Sequence, residues 1–293
     1  MTKKTEPKGI LLAAFGKNEY AFMAAHMAAS IKIHCDLPIS ILVDDSYKYV
    51  PSGYRKLFDQ VITIKPEHYI RQGHIDPGFL KVNIPLYLPY KQTLYLDVDG
   101  MCIRDLTPIF ETDKEFCTEV KGKGSKGDTI NYNWWASTSN EWEHFELPED
   151  AVFRTVQSSS MLFKKGTFVK KLHKTMLKYY DYPLSKLSNQ WGGTVPDELI
   201  ISGACANLDY DPSFEKKIVF FGHKLSSLSQ KEISEQYFVL AMYGNKGMVR
   251  GSYLDWYDRF MRKELRKIGL EIIHPINILL RGKHVTVNRI QAR

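Results

Sequence analysis

The run Ile10-Leu-Leu-Ala-Ala-Phe15, closed by Gly16, constrains this chain more than any other stretch of it. An unbroken apolar run of strand length, with no polar alternation, describes a strand buried on both faces. Such strands belong to parallel sheets covered by helices on both sides. Asn18 is placed to cap a helix, and residues 20–33, rich in Ala and Met, have helix-forming composition. The unit then recurs. Pro38 opens a second strand over residues 39–43 that ends at Asp44-Asp45, and residues 60–64 form a third. Residues 79–88 read as a helix interrupted by Pro85, and residues 93–99 as a fourth strand stopped by Gly100. Strands alternating with helices across short links predict an α/β fold with a doubly wound, mostly parallel sheet.

Beyond the fourth strand the pattern loosens. Lys121-Gly-Lys-Gly-Ser-Lys-Gly127 reads as a flexible basic loop, with Trp134-Trp135 after it. Met161-Leu-Phe163 is a strand candidate, and residues 168–180 and 197–208 are helix candidates, the second capped near Pro196. Tyr257, Met261, Leu265 and Ile268 recur at helical spacing among Arg259, Arg262, Lys263, Arg266 and Lys267, the pattern of a basic amphipathic helix. The net charge of +7 suits an anionic partner: a nucleotide, nucleic acid or an acidic membrane surface. A Lys-rich solvated surface gives the same number. The four cysteines form no Cys-x-x-Cys pair, which removes support for a zinc site and fits a reduced compartment. No apolar run approaches the ~18 residues that span a bilayer, and residues 9–15 are too short for a signal-peptide core. The expected localisation is cytoplasmic, at most peripheral to a membrane or associated with DNA.

The chemistry concentrates at Leu96-Asp-Val-Asp-Gly100. In a strand, side chains alternate between faces, so Tyr95, Asp97 and Asp99 share one face and Leu94, Leu96 and Val98 the other. Two carboxylates at the C-terminal end of a parallel strand sit where open α/β sheets bind their ligands. They repel each other unless one is protonated or a cation lies between them. Hard oxygen donors suit Mg²⁺ or Mn²⁺, which can bridge phosphate oxygens and neutralise a departing diphosphate. Two other readings compete. An Asp-x-Asp-Gly stretch can be only a turn. It also resembles the first motif of haloacid-dehalogenase-type phosphatases, whose first Asp is a nucleophile and second an acid. Here Met101 stands where that motif has Thr, and three strand candidates precede it.

Four stretches, the aspartate motif with its continuation among them, resemble those of GT-A-fold glycosyltransferases, and within them the retaining family 8 group of glycogenin and bacterial lipopolysaccharide galactosyl- and glucosyltransferases. Phe15-Gly-Lys-Asn-Glu-Tyr-Ala21 is similar to the family's opening strand-turn-helix, whose loop and Tyr contact the nucleotide base; Tyr20 matches that Tyr. Lys81, ahead of Pro85-Leu-Tyr-Leu-Pro-Tyr90, matches a Lys that approaches the diphosphate or sugar. Ile103-Arg-Asp-Leu-Thr-Pro-Ile-Phe110 resembles the segment that follows the family's metal motif. Val195-Pro-Asp-Glu-Leu-Ile200 resembles the family's Asp-Gln helix start, with Asp197 at the Asp that contacts donor sugar or acceptor. Ser158-Ser-Ser-Met-Leu-Phe163 is similar to an Asn-Ser-Gly-Val-Met-Val-Phe segment, with Ser at the Asn and Gly positions. The family's third metal ligand is a His in a His-x-x-Gly-x-x-Lys-Pro-Trp-like segment. The nearest match, Ala241-Met-Tyr-Gly-Asn-Lys246, has no His, and His223 is the candidate substitute.

The resemblance implies a GT-A-like, Rossmann-type mixed sheet flanked by helices, with a helical C-terminal extension. Residues 1–210 form the nucleotide-sugar-binding core; residues 211–293 complete the site and extend toward the acceptor. It implies transfer of a hexose or pentose from a nucleotide-diphosphate sugar, a UDP-sugar foremost, to an acceptor hydroxyl with retention. Asp97, Asp99 and His223 would hold Mn²⁺ or Mg²⁺. Phe15, Tyr20, Asp44, Val98, Lys81 and Lys246 would line the donor, and Lys81 and Asp197 would act with the aspartate pair in catalysis. For the acceptor, the basic N-terminal arm, the loop lysines and the basic tail suit a hydroxylated or already glycosylated base in phage-type DNA. The alternative is a saccharide or glycolipid such as lipopolysaccharide, met at a membrane by residues 257–268.

Overall fold

The computed structural model describes residues 8–50, 52–128, 141–183, 194–221 and 229–241, together with Arg266. The chain opens with β1 (Lys8–Ala14), α1 (Asn18–His34), β2 (Ile39–Val43), α2 (Ser52–Arg55) and β3 (Gln60–Thr63). A small hairpin, β4 (Ile70–Arg71) and β5 (His74–Ile75), leads into α3 (Pro77–Asn83) and β6 (Gln92–Leu96). There follow β7 (Gly100–Cys102), β8 (Phe116–Gly124), α4 (Glu141–His144), β9 (Phe153–Lys164), α5 (Thr167–Lys178) and α6 (Asp197–Asn207). The last described elements are β10 (Val219–Phe221), α7 (Gln230–Gln236) and β11 (Val239–Ala241).

The main sheet has the order β3-β2-β1-β6-β9-β8. Its first four strands are parallel, as the buried run and the helical crossovers predict; β9 runs antiparallel to β6, and β8 antiparallel to β9. From β1 the chain moves out to β2 and β3 on one side, then returns to place β6 on the other. The crevice between the ends of β1 and β6 is therefore the switch point at which open α/β sheets bind ligands. Alternation along β1 divides the core. Ile10, Leu12 and Ala14 join the layer that holds α1, while Leu11 and Ala13 join the layer that holds α3, α5 and α6. The Ala residues of α1 are fully buried, because β7 and the second sheet, β10-β11-β7, close over the far side of that helix.

Several sequence expectations shift. α1 begins at Asn18, with Lys17 in the cap position and no side-chain cap, so Asn18 is not the cap. The helix foreseen over residues 79–88 is α3, which starts at Pro77 and gives way at Ile84 to a single 3-10 turn containing Pro85, as the missing proline N–H requires. The fourth strand stops at Leu96 rather than at residue 99; Gly100 then starts β7, which pairs with β11. The first half of the supposed basic loop is strand: residues 121–124 end β8, and 122–124 pair with β9 after a register shift at residue 121. Met161-Leu-Phe163 belongs to a much longer strand than expected, β9. The N-terminal arm before residue 8, Trp134-Trp135, His223, Lys246, the basic stretch 257–268 save Arg266, and the tail from residue 281 lie outside the described residues.

Candidate active site

Asp97 leaves the end of β6 with its amide held by the Ser159 carbonyl of β9, at 2.9 Å. Its carboxylate is bound on both oxygens. Tyr95, on the same face of β6, donates its hydroxyl to Oδ1 at 2.8 Å, and Lys81 Nζ donates to Oδ2 at 2.9 Å. The alternation argument therefore holds for Tyr95 and Asp97. Asp99 is reached through a bend rather than along the strand, and is half-buried beside Gly100. Val98 between them is buried in the α1 layer.

Lys81 is delivered by α3. That helix has Asp76 as its cap, accepting from the Phe79 amide at 3.0 Å, and Pro77 in its first turn, where no N–H is missed. Gly78 lets α3 approach the start of α6: a Cβ there would lie 2.8 Å from the Val195 carbonyl oxygen and 3.3 Å from the Asp197 amide. The close approach brings Asp197, in the first turn of α6, within 3.9 Å of Lys81 Nζ through Oδ2. That oxygen is buried and has no hydrogen-bond partner among the described residues.

A bulge in β9 supplies the fourth group. Thr118 of β8 pairs with Met161 while the next residue, Glu119, pairs with Gln157, so Ser158, Ser159 and Ser160 lie outside the ladder with β8. Bulges of this kind re-aim side chains beside functional sites. Here Ser158 Oγ accepts from Lys81 Nζ at 3.1 Å, and its amide donates to Glu198 Oε1 at 3.4 Å.

The electrostatics follow from burial and pairing. Burial pulls the Lys81 ammonium downward, but Asp97 and Asp197 outweigh it and hold Lys81 well above the ordinary lysine value, so it stays charged. Burial raises the Asp197 carboxyl, with Lys81 pulling the other way. Glu198 is pushed up to about 8 by burial and then by Asp197. Burial and the charge of Asp97 keep Tyr95 a phenol and hence a donor.

At the neighbouring end of β1, Phe15 is half-buried and meets Tyr69 edge-on, with ring centroids 5.7 Å apart. Asp44 accepts from the Gly16 amide at 2.7 Å and the Ser46 amide at 2.8 Å, tying the β1 loop to the end of β2. Tyr20 is half-buried on α1 and packs against its core layer. The structure thus brings Lys81, Asp97 and Asp197 into one cluster, with Asp99 one turn on and Phe15 and Asp44 along the same edge of the sheet. Sequence reading missed the parts played by Tyr95 and Glu198. Tyr95 carried a signal, its shared face with Asp97. Glu198 carried one as well, since it follows Asp197 in the stretch that resembles an Asp-Gln helix start, but only Asp197 was read from it.

Asp97 and Asp99 present hard carboxylate oxygens with no soft donor beside them, a set that fits Mg²⁺ or Mn²⁺. Among the described residues no third His, Cys, Asp or Glu joins them in a metal-holding group. The remaining positions would fall to donor phosphate, to water or to a residue outside that set.

No family model matches the sequence, and no curated protein matches it. Solved structures do. The chain is similar to galactosyltransferase LgtC in complex with donor and acceptor sugar analogs, with TM-score 0.56 and 12% identity over 93% of this chain and 100% of that one. It is similar to glycosyltransferase GlyE of Streptococcus pneumoniae, with TM-score 0.53 and 14% identity over 92% of this chain and 65% of that one. It is also similar to the bifunctional glycosyltransferase WbbM, with TM-score 0.52 and 11% identity over 82% of this chain and 46% of that one. At such identities the likeness is one of fold: the chain has the GT-A fold of these glycosyltransferases. No helix among the described residues is long and apolar enough to cross a membrane.

Proposed function

We propose that this chain is a glycosyltransferase that moves a hexose or pentose from a nucleotide-diphosphate sugar, a UDP-sugar foremost, to an acceptor hydroxyl. The observation that carries this reading is the Lys81–Asp97–Ser158–Asp197 cluster at the switch point of a GT-A-fold sheet. A divalent cation held by Asp97 and Asp99 would supply neutralisation of the leaving diphosphate. Lys81 keeps a positive charge fixed beside that position, where it acts without reorganisation as negative charge develops. Tyr95 and Ser158 orient Asp97 and Lys81. Asp197, with one oxygen unpaired, orients the sugar or stabilises its oxocarbenium-like state. Phe15, Tyr20 and Asp44 line the base and ribose, and Lys246 and His223, outside the described residues, complete the diphosphate and metal contacts. Attack from the leaving-group side retains configuration, and the diphosphate oxygen then takes the acceptor proton.

For the acceptor, the net charge of +7 supports a hydroxylated base in DNA. Within the described basic loop, Lys121 pairs with Glu119 and Lys126 with Glu149, which leaves Lys123 and the segments outside the described residues to meet phosphate. Salt-sensitive retention on DNA tests this reading. The pattern of residues 257–268 supports the second reading, a glycolipid acceptor, which liposome flotation tests. The phosphatase reading requires Asp97 as a free nucleophile on the first strand; Asp97 instead follows the fourth parallel strand, bound by Lys81 and Tyr95. Calorimetric titration of the protein with UDP-sugars, with and without Mn²⁺, tests the donor assignment. Metal-enhanced binding that Asp99→Asn weakens supports it, and binding indifferent to both contradicts it.

A further inference from the structure

The N-terminal half of α6 grips β9 at two points, one in the bulge and one just before it. Glu198 Oε1 takes the Ser158 amide, while Ser202 Oγ takes the Val156 amide at 3.1 Å and donates back to the Glu198 carbonyl at 2.6 Å. The Ser158 hydroxyl, oriented by that grip, accepts from Lys81 and bonds Asp197. Glu198 therefore fixes the backbone that carries a hydroxyl touching both the cation and the second carboxylate of the cluster. We propose that Glu198 is a positioning residue of the transfer site that works as an uncharged acid, fixing Ser158 against Lys81 and Asp197 while adding no negative charge where a diphosphate donor must bind.

Charge arithmetic supports the uncharged form. The groups facing Glu198 are Asp197 on its own helix, Lys81 from α3 and Asp97 after β6. Lys81 is one positive charge already set against two carboxylates. Those three groups already sum to one negative charge, and a third ionised carboxylate would double it before an anionic donor arrived. Burial raises this carboxyl to about 8, so it is neutral below that pH and ionises as pH climbs through it.

This inference rests on the glycosyltransferase reading, and one experiment separates their failures. Metal-dependent nucleotide release from sugar nucleotides is followed from pH 6 to 9.5 for the wild type, Glu198→Gln and Glu198→Ala, with thermal unfolding of each. Wild-type kcat/KM is expected to fall as pH rises through about 8. Glu198→Ala is expected to lose about tenfold or more at pH 7, the scale of one lost hydrogen bond at a site. Glu198→Gln, whose amide oxygen still accepts, is expected to restore most of that loss and to lack the alkaline fall. An Ala variant as active as wild type, or a Gln variant with the same alkaline limb, overturns the proposal. No release by the wild type from any sugar nucleotide overturns the function itself and appears before any variant is compared.

Discussion

Replacing Lys81 by Met takes away the ammonium that both Asp97 and Asp197 face. The fixed positive charge at the leaving group goes with it, and kcat/KM is expected to fall by about a hundredfold. The stability loss is smaller, about 1–2 kcal/mol, because the Lys81 and Asp97 side chains keep 19% and 27% of their exposure and water screens the pair. Steady-state kinetics with a denaturation curve checks both, and a variant of near wild-type turnover removes Lys81 from the mechanism. A second residue-scale prediction concerns His26, buried beside Tyr54, its Nε2 without a partner among the described residues. Burial lowers its value to about 4 from an unfolded value near 6.5. A depressed value means that the folded state resists the proton, so this stability is present above pH 6.5 and is lost as pH falls toward 4. His26→Leu should flatten that part of the pH–stability curve. Equal slopes for the two proteins would contradict it.

At the scale of elements, the site depends on α3 and α6 touching. Gly78→Ala places a Cβ 2.8 Å from the Val195 carbonyl oxygen, backbone that cannot swing aside. The expected cost is about 1–3 kcal/mol from overpacking, with a fall in kcat/KM larger than a surface Gly→Ala change produces as Lys81 and Asp197 separate. Unchanged stability and activity would show that the contact is not needed. Much at this scale was legible beforehand. The first three strands and α1, α5 and α6 follow from apolar runs, periodicity and punctuation, because each carries its pattern within its own residues. What was not legible depends on distant pairing. The strand at Asp97 stops early because Gly100 onward joins β11, far along the chain. The lysines at 121 and 123 lie in β8 because β9 covers them, although Gly-Lys-Gly composition argues for a loop. The serine bulge of β9 appears only when the register with β8 is known.

For the whole molecule, one side of the sheet is closed by α1 and the second sheet and the other by α3, α5 and α6, leaving the C-terminal edge for ligands. Asp97 and Lys81 were visible in the sequence as a motif and its neighbour, and the structure joins them directly. His223 and Lys246 belong to segments outside the described residues. The central claim, nucleotide-sugar transfer at Asp97 and Asp99, does not require the acceptor to be known, since water can stand in for it. The direct test is nucleotide release from a panel of sugar nucleotides, with Mn²⁺ or EDTA, by the wild type and by the double variant Asp97→Asn/Asp99→Asn. The expected result is release from one preferred donor that EDTA and the double variant both abolish. Equal release by wild type and variant, or none from any donor with or without metal, would contradict it.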